Sequence, residues 1–134
     1  MRVLIADDHE AVRIGVRAIL GTRPGIEVCG EAANGREAIE KAQALHPDIV
    51  ILDITMPVVD GFTAAREIAK VSPGTAILLL SMHDSPNLIN VAKSSGASGY
   101  VAKSEGSEVI LRAIDALAHH QTFFPDPHQP ASVH

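Results

Sequence analysis

Residues 48–61 read Asp48-Ile49-Val50-Ile51-Leu52-Asp53-Ile54-Thr55-Met56-Pro57-Val58-Val59-Asp60-Gly61. Ile49 to Leu52 is an unbroken apolar run, rich in β-branched residues, that stops at a carboxylate. A strand with one solvated face would alternate apolar and polar residues; a run without alternation reads as a strand buried on both faces, the habit of parallel sheets covered by helices. Pro57 and Asp60-Gly61 mark the loop that follows, and Phe62 to Val71 reads as the next helix, closed by Ser72-Pro73-Gly74.

The same unit recurs on either side. Arg2 to Ala6 is a short apolar run ending in Asp7-Asp8, after which Val12, Val16, Ile19 and Leu20 return at helical spacing. Pro24-Gly25 breaks that helix. Ile26 to Ala32 reads as a second strand, and Asn34-Gly35 opens a helix with Ala38, Ile39, Ala42 and Leu45 on one face, stopped by Pro47. Thr75 to Ser81 reads as a fourth strand, Ser85 to Ser95 as a helix and Gly96 to Ala102 as a short fifth strand. Ser104 to Ser107 are expected to cap a last helix whose apolar face is Val109, Ile110, Ala113, Ile114 and Leu117. Five strands alternating with five helices, with connections this short, require parallel neighbours and right-handed crossovers. The expected class is therefore α/β, a doubly wound five-stranded parallel sheet. Residues 1–119 form this domain, and 120–134, with three prolines and no periodic apolar pattern, read as a linker or tail.

Composition narrows the function. The chain has 134 residues, 46% hydrophobic and 20% charged, the size of one domain with a full core. Its net charge of −5, from 16 acidic and 11 basic residues, gives it no basic surface for nucleic acid phosphates. The apolar runs are far shorter than the roughly 20 residues that span a bilayer, and Met1 leads directly into a strand, so a soluble cytoplasmic protein with no membrane partner is expected. A single cysteine, Cys29, excludes an internal disulfide framework and reads as a strand residue without a redox role. Aromatic residues are 3% of the chain, which leaves few platforms for stacked bases or flat cofactors.

In an open parallel sheet, ligands bind beyond the carboxyl ends of the strands. Those positions hold Asp7 and Asp8 after the first strand, Asp53 at the end of the third, Ser81 at the end of the fourth and Lys103 after the fifth. Carboxylates gathered this closely repel unless they share a cation, and a hard divalent ion such as Mg²⁺, with its preference for oxygen ligands, is the natural partner. Such an ion beside a carboxylate, a hydroxyl and a lysine suits phosphoryl transfer, with Asp53 as nucleophile, Lys103 pairing with a phosphoryl oxygen and Ser81 donating to another.

Together, Asp7-Asp8-His9, Leu52-Asp53-Ile-Thr-Met56-Pro57 through Asp60-Gly61, Ser81 and Gly99-Tyr100-Val-Ala-Lys103 resemble response regulator receiver domains over about residues 2–118. Each element is weak alone; five in order are specific. Asp-Asp-His-Glu, Ser81-Met82-His83-Asp84 and Gly96-Ala-Ser-Gly-Tyr100 are similar to the NarL/FixJ subclass, whose members usually carry a C-terminal helix-turn-helix that binds DNA. The resemblance implies a flavodoxin-like sheet of order 2-1-3-4-5. It implies that Asp53 is phosphorylated by a sensor histidine kinase, that Mg²⁺ is held by Asp8, Asp53 and the backbone carbonyl of Thr55, with Asp7 acting through water, and that Ser81 and Tyr100 form a switch pair. It further implies homodimerisation on phosphorylation and transcriptional output through a DNA-binding domain beyond residue 134. Thr55 and His83 flank the expected phosphoryl site, and Met82 is bulkier than the residue many members carry there.

Plainer readings stand beside these. Asp7-Asp8 alone is equally well read as a polar strand end capping the next helix, Lys103 as a solvated lysine, Ser81 as a loop hydroxyl and Tyr100 as a packing residue. His119-His120 reads as a solvated helix end, and Phe123-Phe124 is open between docking back on the domain and packing against another. A stand-alone receiver or phosphorelay carrier is the alternative within signalling, and in either case the chain is expected to be a switch and not a turnover enzyme. A nucleophilic-aspartate phosphatase needs a second Asp two residues after the nucleophile, where this chain has Thr55. A flavin or dinucleotide site fails on charge, because the first strand-to-helix turn is Asp7-Asp8-His9-Glu10.

Overall fold

The computed structural model describes residues 1–82 and 85–125. In chain order the elements are β1 (Arg2–Ala6), α1 (Glu10–Leu20), β2 (Glu27–Ala32), α2 (Gly35–Leu45), β3 (Ile49–Asp53), α3 (Gly61–Val71), β4 (Ala76–Ser81), α4 (Pro86–Ser94), β5 (Gly99–Ala102), a 3₁₀ turn (Lys103–Glu105) and α5 (Ser107–Ala118). All ladders are parallel, and the sheet order is β2-β1-β3-β4-β5. The chain is an α/β doubly wound domain of the flavodoxin-like arrangement, as expected.

The unbroken apolar runs are explained by the two faces of the sheet. Leu4, Ala6, Val50, Leu52, Ile77, Leu79 and Tyr100 pack with Ala38, Ala42, Ala64, Ala65, Ile68, Ile89 and Ala92 of α2, α3 and α4. Their strand neighbours Val3, Ile5, Ile49, Ile51, Leu78, Leu80 and Val101 pack with Val16 and Leu20 of α1 and with Ile110, Ala113, Ile114 and Leu117 of α5. The period of two is present, but both phases are apolar because both faces are covered. The small residues of α2 and α3 let these helices lie close to each other and to the sheet.

Local chemistry sets the helix starts. The Asn34 side chain accepts from the Glu37 amide at 2.9 Å while the Glu37 carboxylate accepts from the Ala33 amide at 3.1 Å, a reciprocal cap on α2. Asp60 caps α3 through the Thr63 amide at 2.9 Å. Two expectations shift. His9 occupies the N-cap position of α1 without a side-chain cap bond, so neither Asp7 nor Asp8 caps that helix by its carboxylate in the usual way; Asp7 instead accepts the His9 amide at 2.9 Å. Nor does a serine cap α5: Lys103–Glu105 forms the 3₁₀ turn, and Gly106, at φ 95°, reverses the backbone into Ser107.

The segment after α5 also differs from a free tail. Residues 121–125 run back along the outer edge of β5, with a parallel bridge between Gly99 and Phe123. The expected linker or tail is therefore docked over its first residues, and residues 126–134 of that expectation lie outside the described residues.

Candidate functional site

Parallel strands bring their carboxyl ends to one edge, and the register decides which side chains meet there. Ala6 pairs with Leu52, Asp53 with Leu80, and Ser81 with Ala102. Asp7 and Lys103 are the next residues after β1 and β5. The ladder thus places Asp7, Asp53, Ser81 and Lys103 at nearly one level of the sheet.

Lys103 Nζ stands 3.0 Å from Asp7 Oδ2 and 3.3 Å from Asp53 Oδ1. Asp7 and Asp53 are buried, at 2% and 4% exposure, whereas Asp8 is open to solvent. Burial pushes the Asp53 carboxyl above the ordinary carboxylate range and the Asp7 charge pushes it further, against the opposing pull of Lys103 and of the Thr55 amide. For Lys103 burial acts to lower the pKa, but the hydrogen bond to Asp7 and the charges of Asp53 and Asp7 outweigh it, so the ammonium is held above the ordinary lysine range. One cation therefore bridges two buried carboxylates, and a third carboxylate lies beside them at the solvent boundary.

His9 joins this group, a role the sequence reading did not give it. Its Nδ1 is 3.3 Å from Asp7 Oδ1 and 3.2 Å from Asp8 Oδ1. One donor atom from each of Asp7, Asp8, His9 and Asp53 lies within 4.8 Å of all the others. Three carboxylates with this convergence, two of them buried, suit a hard divalent cation, and the excess of negative charge over Lys103 leaves a charge for it to neutralise. The adjacency of His9 to Asp7-Asp8 was the available signal.

Hydrogen bonds tie down the scaffold under the site. The Asp7 amide donates to the Ala32 carbonyl at 3.0 Å, and Arg13 donates to the Asp7 carbonyl at 2.6 Å while its Nε reaches Glu31 at 3.1 Å. After Asp53 the chain folds back at once: the Ile54 amide donates to Leu80 and the Gly61 amide to Ile54, at 3.0 and 2.8 Å. A side chain at Gly61 would run into the Asp53 carbonyl and come within 2.7 Å of Ile54 Cα, so the Asp60-Gly61 pair is a steric demand of this return. Between these points Val58 adopts φ 70°, and the Val59 amide donates to the Pro57 carbonyl at 2.8 Å, a tight γ-turn with its side chain 69% exposed. Met56 anchors the loop by burying its side chain in the core, and Thr55 is exposed.

The remaining predicted residues are placed as follows. Ser81, 4% exposed, ends β4 beside the site, and Tyr100 is fully buried on β5 within the cluster that faces α2, α3 and α4. Met82 is 68% exposed; His83 lies outside the described residues. Cys29 is half-buried at β2, and burial pushes its thiol up, which fits a strand residue and not a reactive thiolate. His119 and His120 are exposed at the end of α5, with His119 Nδ1 2.7 Å from the Asp115 carbonyl. Among the described residues no helix is long and apolar enough to cross a membrane.

Residues 3–115 match the family model of the response regulator receiver domain. Among curated proteins, the chain is 35% identical over 124 residues to the response regulator protein VraR of Staphylococcus saprophyticus, covering 92% of this chain and 59% of that protein. It is 42% identical over 115 residues to a protein-glutamate methylesterase/protein-glutamine glutaminase of Methanosarcina acetivorans, covering 84% of this chain and 33% of the relative. The chain thus spans between a third and three-fifths of the length of these relatives. Among solved structures it is similar to a LuxR-family two-component response regulator from Aurantimonas, with a TM-score of 0.88 at 36% identity, covering 91% of this chain and 87% of that one. It is likewise similar to the receiver domain of NarL from Mycobacterium tuberculosis, with a TM-score of 0.82 at 35% identity, covering 87% and 95%. With the acidic cluster at the carboxyl edge of a 2-1-3-4-5 sheet and a lysine following β5, these matches establish that the chain belongs to the response regulator receiver domain family.

Proposed function

We propose that Asp53 is the phosphoacceptor of a two-component signalling switch and that a sensor histidine kinase is its donor. The observation that carries this reading is the position of Asp53: buried at the end of β3, 3.3 Å from Lys103 Nζ and clustered with Asp7 and Asp8. An Asp53 carboxylate oxygen attacks the phosphorus of a phosphohistidine; the new P–O bond forms as the P–N bond breaks, and the electron pair leaves on the imidazole nitrogen, which takes up a proton. Lys103 pairs with the charge on the phosphoryl oxygens, and the Ser81 hydroxyl, at the end of the adjacent strand, donates to one of them. Asp8, Asp53 and the backbone carbonyl of Thr55 would hold Mg²⁺, with Asp7 acting through water. When bound, the ion supplies charge neutralisation for the incoming phosphoryl group. Domain 1–119 carries this chemistry, and Ser81 with Tyr100 forms the switch pair.

The reading makes the chain a cytoplasmic switch that accepts a phosphoryl group without turning over substrate. Its output is transcription through a DNA-binding domain elsewhere in the protein, with homodimerisation on phosphorylation. Support comes from relatives such as the transcriptional regulatory protein DegU of Brevibacillus brevis, and from the structure of two RcsB dimers bound to two parallel DNAs. The methylesterase relative favours a second reading for the whole protein, a receiver governing a catalytic domain. Phosphotransfer profiling tests the donor: radiolabelled, autophosphorylated histidine kinases should pass label to this chain rapidly and not to Asp53→Asn. Label that reaches both proteins equally contradicts the assignment.

A further inference from the structure

The imidazole of His9 is not used by the helix it opens. His9 is the N-cap residue of α1, a position where short oxygen-bearing side chains usually accept a helix amide, yet its side chain makes no cap bond. Its backbone is tied down instead: the His9 amide donates to Asp7 Oδ1 at 2.9 Å, and the His9 carbonyl accepts the Val12 and Arg13 amides, both at 3.1 Å. With the backbone held so, the ring turns back over the strand end, and Nδ1 stands 3.3 Å from Asp7 Oδ1 and 3.2 Å from Asp8 Oδ1.

Hydrogen bonding accounts poorly for that placement. Nδ1 carries at most one hydrogen, which points at one oxygen, and both separations lie at or beyond the long end of the N–H···O range. They match another pattern. Donors on neighbouring corners of an octahedron around a divalent ion stand about 3 Å apart, because each bond to the ion is about 2.1 Å. Three carboxylates against the single Lys103 ammonium leave two negative charges, which one divalent ion cancels, while a neutral imidazole adds a donor without adding charge. The ring is 68% exposed, so it closes on an ion without leaving a packed position.

A nitrogen donor changes what the site selects. Mg²⁺ prefers oxygen and gives up water reluctantly, whereas imidazole suits the first-row transition ions. We propose that His9 Nδ1 is a direct ligand of the ion held by the Asp7, Asp8 and Asp53 cluster, and that it biases the site away from Mg²⁺ toward transition divalent ions such as Co²⁺. The proposal rests on the reading of this cluster as the metal site of the phosphoacceptor.

Mn²⁺, Co²⁺ and Mg²⁺, each added alone to the full chain, test this. Electron spin echo modulation of bound Mn²⁺ should show a directly coupled nitrogen in the parent and none in His9→Asn, which keeps a side chain suited to the N-cap. Losing even an outer partner of a ligand costs about 10–100-fold in metal affinity, so losing a direct nitrogen donor should weaken Co²⁺ by at least about tenfold in His9→Asn, with Mg²⁺ held within about twofold. Bound Mn²⁺ without nitrogen coupling in the parent overturns the ligand, as does a Co²⁺ affinity that is unchanged or falls no more than that for Mg²⁺. Coupling that survives in His9→Asn overturns it too, because the nitrogen then belongs to another histidine. Asp8→Asn separates this proposal from the reading beneath it. If that variant loses Mn²⁺ while the parent shows no nitrogen coupling, the acidic cluster stands as the metal site without His9. If it binds Mn²⁺ as tightly as the parent, the cluster is not the metal site, and the proposal falls with that reading.

Discussion

The Lys103 ammonium lies 3.3 Å from the Asp53 carboxylate and 3.0 Å from that of Asp7, so a cation from the end of β5 serves acids from the ends of β1 and β3. This arrangement offsets one of two buried negative charges. It makes Lys103 a structural counter-ion before it is a partner for any phosphoryl oxygen.

Lys103→Gln leaves Asp7 and Asp53 facing each other without a cation. The expected cost in metal-free buffer is about 2 kcal/mol, below the full penalty for breaking a buried pair because the lysine retains some solvent contact. Because the folded protein holds the Lys103 pKa above its ordinary value, the stabilisation is fully present below the ordinary lysine range and is lost as pH rises through the folded value. Urea melts across alkaline pH should show that loss in the parent and not in Lys103→Gln.

Asp53→Asn should have the opposite effect on stability. Burial and Asp7 raise the Asp53 pKa in the folded state, so its ionised form is disfavoured there and its cost is relieved as pH falls through that raised value. Replacement by the neutral amide is expected to stabilise the metal-free protein by about 1 kcal/mol at neutral pH, with the gain shrinking toward acid pH. Added Mg²⁺ should stabilise the parent more than the variant.

Val58 holds a positive φ that β-branched residues rarely adopt, and its exposed side chain contributes little packing. Val58→Gly is expected to raise stability by about 1 kcal/mol, read as a higher melting temperature. A lower melting temperature would show that the γ-turn is not strained.

Gly61→Ala should destabilise by about 3 kcal/mol, since the new methyl group meets the Asp53 carbonyl and the Ile54 Cα, both of them backbone. Gly74→Ala serves as the control, because a side chain there meets nothing. Equal melting temperatures for the two variants would contradict the close return of the loop on Asp53.

The parallel sheet was legible because Ile49–Leu52 and its counterparts are apolar in both phases, a pattern that only two covered faces explain. The convergence of Asp7, Asp53, Ser81 and Lys103 followed from strand ends alone. The strand order did not; it came from family resemblance, since nothing local tells β1 that it lies between β2 and β3. His9 is legible only as part of the Asp7-Asp8-His9 motif, because its contact with two carboxylates depends on backbone geometry. The bridge between Phe123 and Gly99 is too short for periodicity to reveal. The α5 boundary was misplaced because two serines outweighed Gly106, whose positive φ makes the turn.

Intact mass after incubation with a small-molecule phosphodonor tests the central claim most directly, using the parent chain and Asp53→Asn, each with and without Mg²⁺. A single phosphoryl adduct is expected on the parent with Mg²⁺, and none in the other three samples. An adduct on Asp53→Asn, or on the parent irrespective of Mg²⁺, would contradict the assignment of Asp53 and its acidic cluster as a metal-assisted phosphoacceptor site.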